Sequence, residues 1–200
     1  AVGVSGVDGI LITARKRPKK MMEKTPGAEP VEVDFGFVGD IEKVNPGVLQ
    51  HLLQGGLTPV VSCLGCDDEG GILNINADSV AEAIARALGA EKLVIVTDTE
   101  GLLKDVSNPG SLVSYADAEE VQAFKAQGIL TGGMLPKVDA CLSALKGGVR
   151  RTHIINGTKP NALLRETFTN AGCGTMIVER RERQSYLQSE LDRKPEAAAA

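Results

Sequence analysis

Three short segments combine residue types that can bind and polarise an anionic ligand. Asn74-Ile-Asn-Ala-Asp78 sets two amides and a carboxylate just before an apolar helical pattern. Such groups at a helix N-terminus, on the carboxyl edge of a parallel sheet, suit ligand binding. Asn76 and Asp78 equally suit plain capping of that helix, and the residues alone leave both readings open. Gly128-Ile-Leu-Thr-Gly-Gly-Met-Leu-Pro-Lys137 is a glycine-rich turn ending in a lysine at the start of a helix. Backbone N–H groups accessible at Gly132 and Gly133 can cradle phosphates, and Lys137 can neutralise them. The spacing is not that of the G-x-x-x-x-G-K-[ST] loop, and a lysine after glycines, taken alone, reads as a surface residue. Thr97-Asp-Thr-Glu-Gly-Leu-Leu103 follows the most apolar run of the chain. Nucleotides sit at such strand-to-loop junctions in open α/β sheets, although an ordinary polar turn fits the same residues.

The elements that must position these segments alternate between short apolar runs and helical patterns, which predicts an α/β fold with a largely parallel sheet. Thr58 to Ser62, Thr152 to Ile155 and Gly174 to Val178 read as strands. Leu93-Val-Ile-Val96 is continuously apolar and reads as a central parallel strand buried on both faces. Ala1 to Val4 reads as a buried strand with a neighbour on each side, which implies that the chain begins inside a longer gene product. Val80, Ala83, Ile84, Ala87 and Leu88 share one helical face. Ser79 and Glu82 fit a capping box at the start of that helix, and Gly89 fits its stop. Ala116 to Ala126, Val138 to Leu145 and Asn161 to Phe168 are further helices, the first two ended by Gly128 and by Gly147-Gly148. Residues 16 to 34 are polar and proline-interrupted and read as a surface excursion between hairpin strands. Within it Arg15 to Lys20 is basic enough to bind an anion, or is simply a solvated loop. Glu179 to Ala200 is a charged tail ending in four alanines, with a helical pattern at Arg180 to Leu191.

Composition narrows the function classes. With 22 basic and 26 acidic residues the net charge is -4, which offers no basic surface for nucleic acid or an anionic membrane. There is no Trp, and two Tyr and four Phe are too few for a base-stacking platform. No apolar run approaches the roughly 20 residues of a membrane span, and no signal-peptide pattern opens the chain. Cys63 and Cys66 form a C-x-x-C, but neither His51 nor His153 lies at a spacing that would complete a zinc site. The pair, with Cys141 and Cys173, reads as small thiols packed in a reducing compartment.

Taken in order, N-I-N-A-D, T-D-T-E-G-L-L and G-I-L-T-G-G-M-L-P-K-V resemble the acetylglutamate kinases of the amino-acid kinase family. V-G-V-S-G-V-D-G-I-L-I-T-A-R and D-F-G-F-V-G-D-I-E-K-V-N-P fit the same family. The resemblance covers residues 1 to about 178, leaving the tail 179–200 outside the domain. It implies a three-layer α/β/α sandwich around an open, mostly parallel sheet. It implies ATP with magnesium and no tightly bound cofactor, and phosphorylation of the side-chain carboxylate of N-acetyl-L-glutamate in arginine biosynthesis. By motif match Lys137 stabilises the transferring phosphoryl group, and Asp78 holds the catalytic lysines in place. Asn74, with Asn76, binds the acylated substrate. Asp98, Thr99, Glu100, Gly101, Leu102 and Leu103, with Ile129, Leu130 and Thr131, line the nucleotide site.

H-I-I-N-G-T followed by L-L-R-E-T-F-T-N-A-G-C-G-T-M-I resembles the arginine-inhibited branch of the family. On that match His153, Glu166 and Gly172 line an allosteric site for L-arginine, in which Glu166 pairs with the guanidinium. The resemblance further implies a homo-oligomer, a cytoplasmic setting (plastid stroma or mitochondrial matrix in a eukaryote) and, for a photosynthetic source, the PII signalling protein as partner. The family's first phosphate-contacting lysine and glycines, and the arginine that grips the acylated substrate, match positions upstream of residue 1. The nucleotide half is therefore expected to be complete and the substrate half to be missing. Two further functions share these motifs: a non-catalytic arginine-sensing module, as in acetylglutamate synthases, and a kinase of carrier-linked aminoadipate in lysine synthesis.

Overall fold

The computed structural model describes residues 1–23, 29–169 and 172–179. The chain forms two compact units, Ala1–Leu88 and Gly89–Ala200. The helical pattern at Arg180 to Leu191 lies outside the described residues.

The first unit contains β1 (Val2–Ser5), β2 (Ile12–Lys16), β3 (Lys20–Met22), β4 (Val31–Val33), β5 (Gly39–Val44), α1 (Gly47–Gln54), β6 (Pro59–Ser62), β7 (Leu64–Cys66), β8 (Ile72–Asn74) and α2 (Ala77–Leu88). β1 pairs in parallel with β6, and β5, β2, β7 and β8 form a four-stranded sheet in that order. Among the described residues β1 has this one neighbour and is only partly buried, so the expected two-sided burial at Ala1 to Val4 is not what forms. Leu11, Ile12, Ala14, Leu49, Leu73, Ile75 and Val80 make the core, which α2 joins by the apolar face read from its sequence. α2 begins earlier than the Ser79–Glu82 box predicts. Asn76 Oδ1 accepts from the Ser79 N–H at 3.1 Å, and Glu82 instead accepts from Arg86 at 3.1 Å one turn on. The amide three residues upstream of Ser79 caps the first turn, so the helix starts there.

The excursion at residues 16 to 34 does run between paired strands. β2 and β5 are antiparallel, and β3 and β4 extend from them as a second antiparallel ladder. Several basic residues in and beside it are engaged: Arg17 with Asp40, Lys19 with Glu32 and Asp34, and Arg15 with Glu42. Three of the five cations in the cluster at Arg15 to Lys20 thus have a carboxylate partner, and Lys16 lies over the Phe37 ring.

The second unit contains β9 (Lys92–Thr97), β10 (Tyr115–Asp117), α3 (Ala118–Ala126), α4 (Met134–Lys146), β11 (Arg151–Asn156), α5 (Ala162–Phe168) and β12 (Thr175–Val178). The sheet runs β10-β12-β11-β9, with β9 parallel to β11, β10 parallel to β12, and β11 antiparallel to β12. The apolar run Leu93 to Val96 does form a strand, but it closes this sheet at one end, and Val96 is 55% exposed. The interior strands are β11, buried from Thr152 to Asn156, and β12, buried from Thr175 to Val178. A β-branched apolar run signals a strand but not its rank in the sheet, which the pairing decides. α3 starts after Ala116, because Asp117 ends β10 and then caps the helix in a reciprocal box with Glu120. α4 starts four residues before the expected Val138. Pro136 falls in its first turn, where the missing N–H is not needed, and Lys137 follows it there. Among the described residues no helix is long and apolar enough to cross a membrane.

Gly174 leads into β12 with no room for a side chain. A Cβ there would collide with the Ile154 carbonyl oxygen and approach Ile155 Cγ2 to 2.8 Å. Overpacking of this kind costs about 1–3 kcal/mol. Gly174→Ala is expected to lower the midpoint of thermal unfolding by roughly 4–8 °C, read by circular dichroism. An unchanged midpoint would mean that the β11–β12 pairing can widen at no cost.

Candidate active site

β9 and β11 run in parallel and end together, with Asn156 in register with Thr97 and the Gly157 N–H bonded to the Thr97 carbonyl at 2.8 Å. Beyond that point the chain after β9 turns over a cavity of about 330 Å³. Its opposite wall is the turn that leads into α4. Of the residues expected to line a nucleotide site, Asp98, Thr99, Gly101, Leu103, Ile129, Leu130 and Thr131 face this cavity, and so does Lys137. Gly133, read from the sequence as part of a phosphate cradle, lines it too, and Thr97, Val106 and Met134 join without having been picked as site residues. Thr97 and Met134 lay inside motifs already singled out. Val106 lies beyond the motif's end, and nothing in a lone valine marks it.

The lining is chemically divided. Leu103, Val106, Ile129 and Met134 offer apolar contact to a flat ring, whereas Thr97, Asp98, Thr99 and Thr131 offer hydroxyls and a carboxylate. At the α4 end Gly133 brings bare backbone to the wall, and Lys137 adds a cation to the positive end of a 13-residue helix. An anion is favoured at that end. An ion pair between Lys125 of α3 and Asp139 ties the first turns of α4 to its neighbour.

Glu100 and Leu102, expected in the lining, turn away from the cavity and act as ties. Glu100 Oε1 accepts from Lys159 Nζ at 3.0 Å and from Asn156 Nδ2 at 3.2 Å. The Lys159 ammonium, with the Asn156 amide, holds the Glu100 carboxyl below its ordinary range. Leu102 is 1% exposed, and its N–H donates to Thr175 Oγ1 at 2.8 Å. From Thr99 to Leu103 the loop alternates, with Thr99, Gly101 and Leu103 toward the cavity and Glu100 and Leu102 toward the protein.

Asn74, Asn76 and Asp78 belong to the first unit. Asn74 is exposed at the end of β8, where its N–H bonds the Phe37 carbonyl. Asn76 caps α2, and Asp78 lies half-buried in the first turn.

His153, Glu166 and Gly172 meet in the second unit. His153 Nδ1 lies 2.7 Å from Glu166 Oε1, and the two side chains are 5% and 6% exposed. Glu166 Oε2 accepts from the Cys173 and Gly174 N–H groups at 2.7 and 3.1 Å. The hydrogen bond from His153, helped by these amides, holds the Glu166 carboxyl below its ordinary range against the effect of burial. Burial raises the Cys173 thiol, and the Glu166 charge beside it adds to the effect. Gly172 packs so closely that a Cβ would lie 3.0 Å from Glu166 Oε2. His153 Nε2 is buried with no hydrogen-bond partner among the described residues. Cys63 is half-buried, and the buried Cys66 thiol points at the Ile12 carbonyl at 3.8 Å.

A model of the amino acid kinase family matches residues 1–156. Among curated relatives, acetylglutamate kinase of Heliobacterium modesticaldum is 46% identical over 179 residues, 90% of this chain and 60% of its own. Acetylglutamate kinase of a Nostoc species is 48% identical over 178 residues, 89% of this chain and 56% of its own. The chain thus spans about 60% of the length of the curated relatives it matches. Among solved structures, N-acetylglutamate synthase from Neisseria gonorrhoeae, complexed with coenzyme A and L-arginine, superposes with a TM-score of 0.70 at 28% identity. That match covers 88% of this chain and 38% of the synthase. Carbamate kinase from Giardia lamblia bound to AMP-PNP shares the fold, with a TM-score of 0.57 at 20% identity over 81% of this chain and 52% of its own. With its mixed α/β architecture and a family match over more than three quarters of its length, the chain belongs to the amino acid kinase family.

Proposed function

We propose that this chain is the nucleotide-binding part of an acetylglutamate kinase, which transfers the terminal phosphoryl group of ATP to the side-chain carboxylate of N-acetyl-L-glutamate. The observation that carries this reading is the cavity at the end of β9, with an apolar slot at one side and Lys137 with the α4 N-terminus at the other. The identity of 46–48% to acetylglutamate kinases supports it. A base fits the apolar side and phosphates the cationic side. Phosphoryl transfer asks mainly for positioning and charge neutralisation, and Lys137 supplies a cation where charge spreads over the transferring group. Asp98 is the carboxylate in the cavity, and magnesium bound through phosphate oxygens needs only one or two carboxylates besides water. When bound, the ion neutralises phosphate charge. On this reading Asp78 orients catalytic lysines, and Asn74 and Asn76 contact the acylated substrate.

Feedback by L-arginine belongs to the same proposal. The cluster of His153, Glu166 and Gly172 supports it, as does the arginine-bound synthase among the structural neighbours. Glu166 would exchange protein donors for a guanidinium. The synthase likeness also keeps open a non-catalytic arginine sensor. Lys137 in the cavity and the higher identity to kinases favour catalysis.

Acyl phosphate trapped with hydroxylamine tests the kinase reading. With ATP, magnesium and N-acetylglutamate, a signal that falls by about a hundredfold or more in Lys137→Ala would mark this chain as a working kinase in spite of the substrate half expected to be missing. Folded chain that binds ATP yet yields no hydroxamate would overturn catalysis by this chain alone and leave either the nucleotide half of a kinase without its substrate half or a sensor. For regulation, calorimetric titration with L-arginine should give an affinity that drops by about tenfold or more in Glu166→Gln, since a charge-assisted pair is lost. Undiminished affinity would remove Glu166 from the arginine site.

A further inference from the structure

The cavity wall formed by Asp98 to Leu103 depends on one hydroxyl from a distant strand. Thr175 opens β12 and is 0% exposed. A valine would suit a buried strand position equally well, and a hydroxyl taken fully out of water costs free energy unless it is bonded. Here Thr175 Oγ1 accepts from the Leu102 N–H at 2.8 Å, while the Leu102 carbonyl accepts from the Val113 N–H at 2.8 Å. Both backbone groups of Leu102 are thus fixed from opposite sides. Gly101 is pressed against the same threonine. Its φ is +136°, and a Cβ would lie 2.6 Å from Thr175 Oγ1 and 3.1 Å from Thr175 N. Gly101 and Leu103 face the cavity on either side of the anchored residue.

We propose that Thr175 is a positioning residue of the nucleotide cavity: its hydroxyl holds the Leu102 amide and thereby keeps Gly101 and Leu103 at the ligand surface. The inference rests on the nucleotide reading above and goes beyond it by assigning a role to a residue that touches no ligand. Glu100, tied to Asn156 and Lys159, fixes the loop two residues before Leu102, so losing Thr175 alone should distort the wall locally.

Thr175→Val keeps shape and burial but leaves a buried amide unpaired, whereas Thr175→Ser keeps the acceptor. The affinity of the full chain for MgATP should fall about tenfold in Thr175→Val and stay within about threefold of the parent in Thr175→Ser, since an unpaired buried donor is the costly defect. Exchange of the Leu102 amide with deuterium should be about tenfold faster or more in the valine variant and near the parent rate in the serine variant. If the valine variant does not fold, Thr175→Ala gives the same contrast. Parent chain that takes no MgATP overturns the nucleotide reading and this inference with it. Parent that binds, beside a valine or alanine variant that binds equally well, overturns this inference alone. Equal losses in the valine and serine variants also overturn it, because packing and not the hydroxyl would then be responsible.

Discussion

The register of β9 against β11 is the constraint on which the candidate site hangs. Six consecutive pairs run from Arg151 and Lys92 to Asn156 and Thr97, so both strands end at one level. At that edge the ladder has no further residues to offer, and the polar groups beyond it must find other partners. The Gly157 N–H takes the Thr97 carbonyl, and the Asn156 side chain bonds both Glu100 and Thr158. The turn over the cavity is therefore a continuation of hydrogen-bond satisfaction past the sheet. A register shift of one residue would turn every side chain of β9 over and carry the turn with it.

What could be read from the sequence follows from what is local. Strand positions and helix stops come from short-range preference and were legible to within a few residues. The order of strands was not, because Leu93 to Val96 is as apolar as any interior strand while the interior places belong to β12 and to β11, which carries Arg151, Thr152 and His153. Polar residues in an interior strand signal function or a buried bond, which hydropathy alone cannot distinguish. The Asp98 to Leu103 motif was visible as a block, but its division into Thr99, Gly101 and Leu103 facing the cavity and Glu100 and Leu102 facing the protein was not. That division depends on Asn156, Lys159 and Thr175, which lie more than 50 residues later.

The cluster around Glu166 has an energetic consequence for any regulatory ligand. Both carboxylate oxygens already accept bonds, one from His153 and the other from two backbone amides. A guanidinium would gain a bidentate pair only by competing with these donors, and what it gains is the difference between the two sets. The same oxygens brace Cys173 and Gly174, the residues that lead into β12. Cys173 and Gly174 precede Thr175, whose hydroxyl bonds the Leu102 amide.

Val106 stands 74% exposed at the rim of the cavity, an apolar side chain held in water. Its position matters for the calorimetry of binding more than for affinity. A ligand that covers Val106 and Met134 removes apolar surface from solvent, so association carries a negative heat-capacity change. Heat released on binding then grows as temperature rises, while the entropy gained from freed water shrinks. Two laboratories working at different temperatures would assign opposite driving forces to one and the same contact.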